Sequence, residues 1–89
     1  MELSKIEKIL ASNVTMVQKN ILMMIYVLNE KGTISSPKNI SIGLNINYAN
    51  CAANLRALMY TDILKCTGIG GRAGKEYAVN WEVLNDYSC

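Results

Sequence analysis

The sequence contains no histidine. Its three cysteines, Cys51, Cys66 and Cys89, therefore have no imidazole to activate a thiolate, which rules out a Cys–His nucleophile. Their wide, unequal spacing includes no C-x-x-C pair, so the chain does not call for zinc either. No two carboxylates stand at a spacing suited to acid–base work, and no serine or lysine has an obvious activating neighbour. An enzyme is not the expectation, and neither is a cofactor. Long hydrophobic runs are also missing. The longest, Ile21 to Leu28, falls far short of the ~20 residues that span a bilayer. The first residues, MELSKIEKIL, alternate charged and apolar positions without the apolar core of a secretory leader, so the expected location is the cytoplasm, with no membrane partner. There is no internal repeat and no linker. The expectation is one domain over residues 1–89, of a size that buries only about 60–65% of its unfolded surface and gains from a partner subunit.

What is present is apolar and sparingly charged, 51% against 18%, which excludes a disordered chain. Cys51 and Cys66 fall at apolar positions and are expected to be buried. Cys89 leaves an odd thiol that either stays free or bridges two subunits. The net charge of +2 hides an asymmetry. Between Lys31 and Lys75 stand Lys31, Lys38, Arg56, Lys65, Arg72 and Lys75 against Asp62 alone, a net +5, while the remainder carries a net −3. A basic middle of this kind suits a polyanion.

Helix signals are clear. S-K-I-E at Ser4–Glu7 and T-M-V-Q at Thr15–Gln18 are capping boxes, the first followed by an apolar stripe of Ile6, Ile9 and Leu10. The second opens a helix through Val17, Ile21, Leu22, Met24, Ile25 and Leu28, with Lys31 in its last turn and Gly32 as the left-handed residue beyond it. This helix is apolar around most of its circumference, so it either packs centrally or buries a face in a dimer. Thr33-Ile34 reads as a short strand. Ser36-Pro37 reads as N-cap and first helical residue, with Ile40 and Leu44 turned inward and Ile42 near the same face. After a turn plugged by Ile46, Asn47 caps a helix over Tyr48–Tyr60 that buries Cys51, Leu55, Leu58 and Met59. ILKCT then alternates like a half-buried strand, and GIGGRAG is a loop. KEYAVN is a second strand with Tyr77 and Val79 on one side, and residues 81–87 form a short helix capped by Asn80.

Residues 36–65 carry a resemblance on this order of elements. Ile40 and Leu44 sit where a first helix-turn-helix helix turns inward, Ile46 in the turn, and Cys51, Leu55 and Leu58 along the second helix. YTDILK looks like the exit into a wing strand, and residues 63–80, with Gly68, Gly70, Gly71 and Gly74 at the tip, look like the wing. The chain resembles winged helix-turn-helix proteins and is similar to small MarR-, PadR- and ArsR-like regulators of archaea and bacteria and of their viruses and plasmids. The resemblance implies an α+β fold with a three-helix core, a C-terminal two-stranded hairpin wing and flanking terminal helices, with the helix-turn-helix at about 36–60. It further implies sequence-specific binding to double-stranded DNA by a homodimeric transcriptional regulator. In place of the Ser, Thr and Arg usual on such recognition helices, this chain carries Asn47, Tyr48, Asn50 and Asn54.

The expected DNA-binding residues follow from this placement. Ala49, Ala52 and Ala53 are expected to face outward and allow close approach and methyl contact with thymine, and Asn47, Asn50 and Asn54 can pair with adenine in the major groove beside Tyr48. Each asparagine also has a plain reading as a cap, first-turn or solvated residue. Lys38, in the first turn of its helix, and Arg72 and Lys75, flanking the wing loop, are expected on phosphates or the minor groove. Arg56 is expected roughly opposite the early exposed face, and Lys65 is the weakest candidate. Dimerisation is expected through the N-terminal helix, the segment around Trp81, Leu84 and Tyr87, or both. The alternatives are a winged helix used for protein contact, a single-strand or RNA binder relying on Tyr48, and a protein that coats DNA without sequence preference. GIGGRA fits a dinucleotide fingerprint by letter but precedes a strand, and GGRAGK lacks the Ser/Thr of a phosphate loop, so neither motif is assigned.

Overall fold

The computed structural model describes residues 4–66 and 76–86. Their elements run α1 (Lys5–Ala11), α2 (Met16–Glu30), α3 (Pro37–Leu44), α4 (Tyr48–Tyr60), β1 (Leu64–Cys66), β2 (Tyr77–Val79) and α5 (Trp81–Asp86). The result is a small α+β fold of five helices and a two-stranded antiparallel sheet. The segment expected to form the wing loop, including Gly68, Gly70, Gly71, Gly74, Arg72 and Lys75, and residues Tyr87 and Cys89 lie outside the described residues. No helix among the described residues is long and apolar enough to cross a membrane.

Both capping boxes form. The Ser4 and Thr15 hydroxyls accept from the backbone N–H of Glu7 and Gln18, whose side chains accept in return from the N–H of each cap. Ser36 caps α3 ahead of Pro37, and Asn47 caps α4. Three helix ends share one device. A residue with positive φ follows α2 (Gly32, 69°), α3 (Asn45, 54°) and α4 (Asp62, 63°). In each case two N–H groups fold back onto the last turn. Gly32 N–H reaches Asn29 O and Thr33 N–H reaches Leu28 O, Asn45 and Ile46 bond to Ile42 and Ser41, and Asp62 and Ile63 bond to Met59 and Leu58. These paired bonds satisfy carbonyls that a helix end otherwise leaves open, and the left-handed residue turns the chain sharply.

The core joins Ile9 of α1, Ile21, Leu22 and Ile25 of α2, Ile40 of α3 and Cys51, Leu55 and Leu58 of α4. Ile63, Leu64, Tyr77, Val79 and Leu84 complete it. β1 pairs with β2 in the register Leu64↔Val79, Lys65↔Ala78, Cys66↔Tyr77. The N-terminal helix is held to the other end of the described chain. Lys5 Nζ lies 5.3 Å from the Trp81 ring centroid and 6.0 Å from that of Tyr26, and the two rings meet edge to face at 5.9 Å. Lys19 Nζ also donates to Leu10 O at 2.9 Å, tying α2 to the end of α1.

Several expectations are corrected. Thr33-Ile34 is not a strand. A side chain takes the place of a third strand on β2, because the buried Ser35 hydroxyl donates to Tyr77 O at 2.7 Å and accepts from Tyr77 N–H at 3.0 Å. Only Ile9 of the α1 stripe is buried, while Ile6 and Leu10, one turn apart, share an edge that faces solvent. Ile42 is exposed, because two residues beyond the inward Ile40 lies more than half a helical turn away. Met59 is only partly buried. Ile63 and Leu64 are both buried rather than alternating, since the left-handed Asp62 aims Ile63 at the core before the strand begins. Cys66 is exposed, at the end of a three-residue strand past that strand's last core residue. Leu84 belongs to the core and Trp81 is half-buried against Tyr26, so these two offer little free surface for a dimer.

Candidate nucleic-acid interface

α3, a three-residue turn (Asn45, Ile46, Asn47) and α4 form a helix-turn-helix unit whose inner side is Ile40, Cys51, Leu55 and Leu58. The sharp turn depends on Asn45 in the left-handed region, a conformation that asparagine tolerates better than most residues. The thiol of Cys51 is buried and contacts Pro37 O at 3.7 Å, and burial pushes its pKa up. An inert thiol of this kind packs α4 onto α3 and does no chemistry.

With that side committed to the core, the outer face of α4 presents Ala49, Asn50, Ala53, Arg56, Ala57 and Tyr60, whereas Ala52, expected on it, is partly buried because it directly follows the core residue Cys51. Tyr60 is 90% exposed and Tyr48, at the first helical position, 57%. The side chain of Asn47 is occupied as a cap, accepting from Ala49 N–H at 2.8 Å and Asn50 N–H at 3.3 Å. Asn54 is partly buried, and its Nδ2 donates to Asn50 O and to Asn50 Oδ1, both at 2.9 Å. The bond to the backbone carbonyl anchors Asn54, and the bond to Oδ1 then braces the exposed Asn50 amide. The second lone pair of its Oδ1 and both donors of its Nδ2 are still open to a ligand. Lys38 is exposed in the first turn of α3.

No family model, curated protein or solved structure matches the chain. Its own surface chemistry carries the reading of this site. Of the expected residues, Lys38, Tyr48, Ala49, Asn50 and Ala53 lie exposed on the helix-turn-helix unit. Asn47 and Asn54 act first as cap and brace, and Arg72 and Lys75 lie outside the described residues.

Arg56 is not opposite Ala49. Ala49, Ala53, Arg56 and Tyr60 follow one another at four, three and four residues and so share one stripe. Arg56 and Tyr60 were therefore legible from helical periodicity, since seven residues make two turns. One electrostatic feature supports the site. From Lys31 to Thr61 the chain has Lys31, Lys38 and Arg56 but no aspartate or glutamate, so both helices of the unit are free of negative side chains. Among the described residues no group of His, Cys, Asp or Glu could hold a metal ion.

Proposed function

We propose that the chain is a winged-helix protein that binds double-stranded DNA through α4, as a homodimeric transcriptional regulator. The observation that carries the reading is the outer face of α4. It is a stripe of small residues with Arg56, Tyr60 and a braced Asn50, on a unit without acids. Small side chains let the helix approach base edges closely, the arginine supplies phosphate contact, and the amide supplies donors and an acceptor for bases. The positive amino end of α4, near Tyr48, adds attraction for phosphate. A two-fold dimer with recognition helices about 34 Å apart would read two successive major grooves.

The test is fluorescence anisotropy with a random-sequence duplex over a series of salt concentrations, comparing the native chain with Arg56→Ala. Binding should weaken log-linearly with salt, and the variant's slope should be shallower by about 0.9, the signature of one lost phosphate contact. Absence of binding at low salt refutes the proposal. In that case the exposed Tyr48, Arg56 and Tyr60, residue types favoured in protein–protein hot spots, point to a protein partner on the same helix. Site selection on bound duplexes then separates a regulator from a protein that coats DNA indifferently.

A further inference from the structure

α2 is apolar on both sides, but only one side is covered. Ile21, Leu22 and Ile25 face the core. Diametrically opposite, Met16, Asn20, Met23 and Val27 recur at four, three and four residues and form a straight stripe, in which Met23 is half-buried and also packs against the core while Met16, Asn20 and Val27 are exposed. With Leu10 and Leu44 at its rim, this stripe lines an open groove of about 220 Å³. Met16 is 69% exposed, Leu10 56% and Val27 37%. No residue of α4 lines the groove, so it can be engaged while α4 is occupied.

We propose that this groove receives α2 of a second copy of the chain, packed antiparallel across a two-fold axis. The inference rests on and deepens the homodimer reading above by naming its surface. Charge selects the occupant. Lys19 and Glu30 lie eleven residues apart, close to three full turns, and so stand on the same edge of the stripe near its two ends. When two such helices pair antiparallel, like edges meet, and Lys19 of each copy, whose Nζ gives one of its three protons to Leu10 O of its own chain, comes to lie beside Glu30 of the other. The stripe between them is apolar except for Asn20 and matches itself, as an isologous contact requires.

Area sets the strength. The overlap from Lys19 to Glu30 is about 17 Å long on a helix about 10–12 Å wide. Even with the rim residues, that footprint is well below the ~800 Å² per partner of a standard interface, so the dimer belongs to the weak, concentration-dependent class.

Sedimentation equilibrium without DNA, from about 10 µM to 1 mM, tests this directly. The native chain should show a monomer–dimer equilibrium within that range. Val27→Lys, at a solvent-exposed position within the overlap, should abolish it, and Met16→Lys, just beyond the overlap, should weaken it, both leaving the far-ultraviolet circular dichroism unchanged. Glu30→Lys should weaken it severalfold, and the loss should shrink as salt is raised. An Ile42→Lys variant, altered at an exposed apolar residue outside the groove, should dimerise like the native chain. A monomer throughout the range, or a dimer indifferent to Met16→Lys and Val27→Lys, overturns the proposal. A dimer indifferent to Glu30→Lys overturns the antiparallel arrangement. Because no DNA is present, each of these results is independent of whether the chain binds a duplex.

Discussion

Ser35→Ala removes one hydroxyl, and its effect can be worked out atom by atom. The Ser35 Oγ serves three groups, donating to Tyr77 O (2.7 Å) and accepting from Tyr77 N–H (3.0 Å) and from Asn29 Nδ2 (3.3 Å). Ser35 and Tyr77 are 1% and 7% exposed, so water does not reach them freely in the native fold. In the variant, Tyr77 O keeps a second donor, Asn29 Nδ2 at 3.3 Å, but Tyr77 N–H loses its partner. An orphaned buried amide costs about 1–3 kcal/mol, so a loss of about 2 kcal/mol is expected. For a domain of this size that lowers Tm by about 8–16 °C. Asn29→Ala alone should cost under about 1 kcal/mol, because the serine still holds both Tyr77 groups. The double variant should lose more than the sum, since Tyr77 O then has no donor either. Urea titrations followed by the fluorescence of Trp81, the sole tryptophan, would measure the cycle. The reasoning fails if Ser35→Ala costs less than about 0.5 kcal/mol. Water entering the adjoining crevice of about 290 Å³, lined by Asn29, Gly32, Thr33, Ser35, Glu76 and Ala78, would then be replacing the hydroxyl.

Two further expectations are simple to check. Asp62→Gly should stabilise the fold by about 0.5–1 kcal/mol, because an L side chain at φ 63° carries a steric cost that glycine avoids. The same change removes the one acid between Lys31 and Lys75, so duplex binding at low salt should tighten, and thermal melts with anisotropy measure the two effects separately. Burial raises the pKa of Cys51; it also raises that of Tyr77, where Cys66, Tyr48 and Cys51 add smaller contributions in the same direction. Both groups are acids held protonated in the folded state. Their contribution is complete below the ordinary thiol value and is lost as pH rises toward the folded values, so urea midpoints should be flat to about pH 8 and fall above it. Cys51→Ala should make that fall shallower.

The helical half of the fold was legible because local chemistry specifies it. Two capping boxes, Ser36-Pro37, Asn47 and the spacing of Cys51, Leu55 and Leu58 each act within a few residues of chain, and each forms as read. The errors lie where burial is decided by partners distant in sequence. Thr33-Ile34 has strand-like chemistry, but a single hydroxyl at Ser35 already occupies the edge of β2. Ile6, Leu10 and Ile42 are as apolar as Ile9 and Ile40, and only the docking of helices decides which of them the core takes. Cys66 follows the strand alternation, yet its strand ends where the core does. The left-handed residues after α3 and α4 are Asn45 and Asp62, which signal such ends less strongly than Gly32. On the candidate interface the composition of α4 was readable, whereas the brace between Asn54 and Asn50 needed coordinates. The alignment of Arg56 with Ala49 did not, because counting turns suffices for it.

The contact of Lys5 with Tyr26 and Trp81 bears on how this chain is made. It joins the first and last described helices, so α1 leaves the ribosome long before one of its two aromatic supports exists. Until α5 arrives, α1 has a capping box, the contact of Lys5 with Tyr26, the link from Lys19 to Leu10 and the single buried side chain of Ile9 to hold it, which is little for seven residues in water. The part of its docking that rests on Trp81 can therefore form only once the far end of the described fold is present.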